Sequence, residues 1–124
     1  MGNNRFHDKL VADLVSRVKD KHDGFQLEAE LWVRQELVYV ADLLTFDRLP
    51  HDMWWVTAYE AKTGWSRKTV PKAMNQAQKY FTWLDHQSKY VGNNFVLAHK
   101  PRGSRHLRAE RWTRKEVMDR DYWS

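Results

Sequence analysis

Between residues 5 and 20, apolar side chains recur at the spacing of one helical face. They are Phe6, Leu10, Val11, Leu14, Val15 and Val18, with charged residues between them. This predicts an amphipathic helix, ended by Gly24. From Leu31 to Phe46 the chain turns to Val, Leu, Tyr and Trp, interrupted by Arg34, Gln35 and Glu36, which predicts two strands joined by a turn or a solvated segment. Asp47 to Asp52 contains Pro50 and reads as a loop; Met53 to Lys62, rich in β-branched and aromatic residues, reads as a third strand closed by Gly64. Pro71 suits the first turn of a second helix over residues 71–88, with Ala73, Ala77, Tyr80, Phe81 and Leu84 on one face. A short strand over Asn94 to Ala98 follows. Beyond Pro101 the periodicity fades until Thr113 and Glu116, which match a capping box for a short final helix. Helix, strands, helix, strand predicts an α/β fold with a central sheet flanked by helices.

Composition narrows the chemistry. A chain of 124 residues is one domain's worth, and with no cysteine it excludes disulfides, thiolate zinc sites, an iron-sulfur cluster and a cysteine nucleophile. The longest apolar stretch, Leu37 to Leu44, is too short to span a bilayer, and the polar start Met1 to Asn4 lacks a signal-peptide pattern, so a soluble, cytoplasmic protein without a membrane partner is expected. The 21 Lys and Arg against 16 Asp and Glu give a net charge of +5. The placement of that charge is more informative. Residues 99–124 carry eight basic and four acidic residues, and the stretch Lys62 to Leu84 carries five basic residues and no acid. Arg67, Lys68, Lys72 and Lys79 in the second segment, and Arg102, Arg105 and Arg108 in the first, suit the backbone of a nucleic acid. A solvated surface explains any one of them equally well. Arg111 and Arg114 continue the three-residue spacing, which makes a basic stripe if that tail is helical and a flexible arm if it is not. Among the seven tryptophans, Trp32, Trp54, Trp55, Trp65, Trp83, Trp112 and Trp123, most are expected in the core, with some free to stack on unpaired bases.

Alternation on the third strand puts Trp54, Val56, Ala58, Glu60 and Lys62 on one face. A carboxylate and an ammonium beside each other at the end of an apolar strand cost desolvation energy unless they are paired or liganded. Asp42 interrupts the apolar run before them, sharing a face with Val38, Val40 and Leu44, so adjacent strands would bring Asp42 and Glu60 onto one cation. Hard divalent ions such as Mg²⁺ favour that ligand type. Lys62 would then stand beside the attacking water or the charge developing on a phosphate. A structural Glu60–Lys62 salt bridge is the competing account. His-Asp pairs at His7-Asp8, His22-Asp23 and His51-Asp52 do not lie on the long helices that HD-type phosphohydrolysis needs, and no serine sits in a nucleophile elbow.

Asp42, then Glu60-Ala61-Lys62 after 17 intervening residues, then a basic helix carrying Gln76-Ala77-Gln78-Lys79-Tyr80, resembles the PD-(D/E)xK nuclease superfamily in its RecB-like branch, whose signature includes Gln-x-x-x-Tyr. The match covers roughly residues 5–98, and Ala41 replaces the proline of the family's name. The resemblance implies a restriction-endonuclease-like core with a mixed β-sheet over residues 1–100, followed by a basic extension over 101–124 that is partly helical or flexible. It implies a small phage-type deoxyribonuclease dependent on one or two Mg²⁺ or Mn²⁺ ions, acting as an exonuclease or a structure-dependent endonuclease. Asp42, Glu60 and the Ala61 carbonyl would hold metal, with either His7 or Glu30 as a further ligand and Glu28 and Glu36 as weaker rivals. Lys62, Gln76 and Tyr80 would act on the water, the substrate strand or the lysine. DNA is the implied partner, with a helicase or a recombination or replication protein supplying any unwinding. A noncatalytic nucleic-acid-binding module on the same scaffold, and a homodimeric junction-resolving endonuclease, are the alternatives.

Overall fold

The computed structural model describes residues 4–64, 67–101 and 103–119. Helix α1 (Asn4–Val18) leads through a 3₁₀ turn at Lys19–Lys21 into an antiparallel meander of β1 (Gly24–Val33), β2 (Glu36–Leu49) and β3 (Met53–Lys62). Helix α2 (Thr69–Asp85) then crosses over to β4 (Tyr90–Val91) and β5 (Asn94–His99), both parallel to β3, and β6 (Arg108–Thr113) returns antiparallel before α3 (Arg114–Met118). The result is a mixed six-stranded sheet in the order β1-β2-β3-β5-β6, with β4 also paired in parallel to β3, flanked by helices. Among the described residues no helix is long and apolar enough to cross a membrane.

Helix α2 covers one face of the sheet. Ala73, Ala77, Tyr80, Phe81 and Leu84 pack with Ala29, Leu31, Tyr39, Ala41, Val56, Ala58, Phe95 and Leu97 in the main core. Helix α1 covers the other face, where Leu14 meets Leu43, Tyr59, Val96 and Ala98. Thr113 accepts from the Glu116 amide at 3.3 Å, the expected cap of α3.

Three expectations are corrected. Gly24 opens β1 instead of ending a helix, and the loop expected from Asp47 shrinks to a tight turn because β2 continues to Leu49. The basic segment beyond residue 100, expected as a helical stripe or an arm, contributes β6, whose Trp112 packs in the main core; its charged neighbours point to solvent. Arg102, Trp65 and Trp123 lie outside the described residues.

The β1–β2 hairpin turns on Arg34 and Gln35, both left-handed with φ of 50° and 71°. A two-residue turn of this kind matches strand twist but strains any residue with a Cβ. Replacing the pair with Asn-Gly should therefore stabilise the fold by ~1 kcal/mol, read as a higher urea midpoint at unchanged slope.

Candidate metal centre

The site begins with a break in strand alternation. On β2, Tyr39, Ala41 and Leu44 all join the core under α2, whereas Leu43 joins the cluster under α1. Sides therefore switch just after Asp42: Val40 still lines the same cleft as Asp42, but Leu44, expected on their face, packs under α2 instead. The neighbouring strand does the same. Leu27 lies along a groove with Val11 and Val15 of α1, while Ala29 and Leu31 pack under α2. Leu27 pairs with Leu43 and Ala29 with Ala41, so Glu28 stands opposite Asp42, and its φ of 47° marks the kink.

The kink turns Asp42 toward a junction of three elements. Its Oδ2 accepts the Ala61 amide at 2.8 Å, just past the last β2–β3 pair, Leu43 and Tyr59, and lies 3.1 Å from His7 Nε2 on α1. Glu60 completes the group. One ligand atom each from His7, Asp42 and Glu60 lies within 4.8 Å of the others. Of the two further ligands left open by the sequence, His7 joins this cluster; Glu30 is exposed on the wall of a cleft of about 690 Å³ that also contains Glu28, Trp32, Asp42, Glu60 and Gln76. Ala61 enters through its N–H.

Glu60 is 5% exposed, and its carboxyl is pushed up to about 9 by burial and then by the neighbouring Asp42 carboxylate. The Tyr39 hydroxyl donates to Glu60 Oε1, and the Lys62 charge also pulls the other way. Burial and the Glu60 charge raise the Tyr39 phenol well above its usual range, so it stays a donor. Two carboxylates this close and this dry hold a proton or a cation between them. Gln76 aims into the same cleft, and its Oε1 is buried without a hydrogen-bond partner. Lys62 is half-buried and, among the described residues, makes no ion pair, so the Glu60–Lys62 salt bridge does not form.

Tyr80 is not part of this arrangement. It is fully buried, its ring stacks on Trp83, and its hydroxyl donates to the Val56 carbonyl at 3.0 Å. A Cβ at Gly92 would collide with that same carbonyl, so the helix, strand and loop close tightly around the phenol. Tyr80→Phe should cost ~1–2 kcal/mol of stability, the price of an orphaned carbonyl, and leave divalent-ion affinity unchanged in calorimetry.

The basic residues separate into groups. Lys72 and Lys79 are exposed on α2, four residues before and three after Gln76, hence on its side of the helix. Arg67 and Lys68 are exposed just before α2. Lys62, His99 and Arg108 are aligned across β3, β5 and β6, which puts Arg108 about 10 Å from Lys62 by strand spacing. Arg105 is exposed in the loop before β6. Sequence reasoning missed Tyr39, while Glu28 was weighed there only as a weaker rival to Glu30. A tyrosine hydroxyl in an apolar strand needs a partner, and that was the available signal for Tyr39; nothing in the sequence marks Glu28 as kinked.

Comparison with protein-family models, with curated proteins and with solved structures finds no match for this chain.

Proposed function

We propose that the chain is a metal-dependent deoxyribonuclease of the RecB-like PD-(D/E)xK type, built on a restriction-endonuclease-like core. The observation that carries this reading is the convergence of His7, Asp42 and Glu60 within 4.8 Å. The order of one helix, three antiparallel strands, a crossover helix and a parallel strand supports the fold assignment.

The donor set fits a divalent cation. Two carboxylates suit Mg²⁺ or Mn²⁺, and an imidazole third ligand favours Mn²⁺. The orphaned Gln76 Oε1 at the cleft adds an acceptor for a coordinated water or a substrate hydroxyl. A bound cation would supply Lewis acidity toward a phosphate oxygen and lower the pKa of water. The protein's own groups do the rest. Asp42 is fixed by the Ala61 amide, and Glu60 by Tyr39. Lys62, which makes no ion pair among the described residues, presents an ammonium to the phosphate or the attacking water. Lys72 and Lys79 on one side and Arg108 on the other give the phosphate backbone two basic margins.

The test is cleavage of end-labelled linear and covalently closed circular DNA with Mg²⁺, with Mn²⁺ and with chelator. Metal-dependent cutting that chelator abolishes is expected, and the circle separates internal from end-dependent attack. Binding of DNA without cleavage of DNA, RNA or four-way junctions under any metal condition would replace this reading with the noncatalytic module.

A further inference from the structure

The face of the sheet under α1 holds a second polar constellation, whose residues do not line the cleft around Asp42. His22 follows α1 but turns away from its neighbour Asp23. Its Nδ1 lies 2.8 Å from Asp47 Oδ2 on β2, and its Nε2 lies 3.4 Å from the Tyr59 hydroxyl on β3. The Asp23 amide donates to the other Asp47 oxygen at 3.3 Å, and Asp23 accepts the Arg48 amide at 2.7 Å. Asp47, His22 and Tyr59 thus form a fixed line, ending at a phenol raised above its usual range by burial.

That line edges a cavity of about 470 Å³, the size of a small-ligand site. Its floor is apolar and aromatic, from Leu14, Trp55 and Val96. Its rim is cationic, from Arg17, Lys21 and Arg111. Among the described residues neither Lys21 nor Arg111 makes an ion pair, while Arg17 binds Asp13 through Nε and leaves its terminal nitrogens open. These cations outweigh the partial negative charge at the α1 C-terminus. Asp47, already engaged with His22, is the acid lining the cavity.

We propose that this cavity binds a small phosphate monoester with an aromatic body, of the mononucleotide class. The phosphate would sit among Arg111, Lys21 and Arg17, and the ring against Trp55 and Tyr59. Imidazole and phenol supply directional polar contacts that a plain basic surface lacks. This assignment does not depend on the metal centre, which uses the junction around Asp42.

The test is titration of deoxyadenosine monophosphate into the full-length protein with EDTA present, followed by two-dimensional NMR, with deoxyadenosine and inorganic phosphate as separate arms. Saturable shifts centred on Trp55 and Tyr59 are expected, with the nucleotide binding at least ~10-fold tighter than either fragment. Arg111→Gln and Lys21→Gln are each expected to weaken binding by ~10-fold at unchanged melting temperature. Absence of saturable shifts, shifts centred on the Asp42 cleft, or variants that bind as wild type would overturn the proposal. Phosphate binding as tightly as the nucleotide would overturn its aromatic half.

Discussion

Lys62→Ala is expected to lower Mn²⁺-dependent DNA cleavage by at least ~100-fold, with thermal unfolding and DNA affinity close to wild type. The reason lies in what Lys62 does not do. It is half-buried at the end of β3 and, among the described residues, makes no ion pair, so removing it breaks no salt bridge there. Its charge nevertheless reaches Glu60, which it pulls toward ionisation. An ammonium held beside a dry pair of carboxylates, without a partner of its own, is available for charge that develops during reaction. Lys62→Arg keeps the charge but spreads it over a planar fork, and should stay impaired. Unfolding of the alanine variant would instead show that the lysine stabilises Glu60, and retained cleavage would remove it from the chemistry.

The second large effect concerns Glu60 and pH. Its carboxyl is held at about 9 in the folded protein against an ordinary 4.5, so between those values the folded chain keeps a proton that the unfolded chain releases. Unfolding then releases protons, and stability must fall as pH rises through this window, levelling above it. Metal-free protein followed by urea unfolding at pH 5, 7 and 9 should show this decline. Glu60→Gln copies the neutral acid. Its amide oxygen still accepts from Tyr39 and its NH₂ can donate to Asp42, so the variant should fold and lose most of the pH slope. It should also lose the stabilisation by Mn²⁺ expected of the wild type, about 2.7 kcal/mol at a hundredfold excess over Kd. A pH slope unchanged in Glu60→Gln would assign the titration to another group; Mn²⁺ stabilisation unchanged in the variant would remove Glu60 from the metal site.

The legible parts of the fold are those buried on both faces or carrying a strong period. β3 is apolar enough to be bounded correctly from Met53 to Lys62, and α2 displays its core stripe around a first-turn proline. β1 and β6 were obscured for the same reason at opposite ends of the sheet. An edge strand exposes half its residues, so Gln26, Glu28 and Glu30, or Arg108, Glu110 and Arg111, dilute the alternation that marks a strand. In β6 the three-residue arginine spacing suggested a helix although the backbone is extended. Asp42, Glu60 and Lys62 were visible as chemistry because charge in an apolar run demands explanation. Their geometry was not, since it depends on a reversal of sides at Asp42 that arises from packing two helices on opposite faces. Gln76 and Tyr80 show the limit of motif spacing. Four residues apart on α2, one reaches the cleft with an unpartnered oxygen and the other spends its hydroxyl on the Val56 carbonyl.

The left-handed Glu28 also bears on self-association. β1 is a ten-residue outer strand with Phe25, Leu27 and Trp32 substantially exposed, a template on which another extended chain could zip. At Glu28 the backbone leaves the extended region, so a continuous ladder along that outer edge is interrupted near its middle, and Glu30 adds charge on the far side of the interruption. The same kink that turns Asp42 toward the cleft guards the margin of the sheet against aggregation.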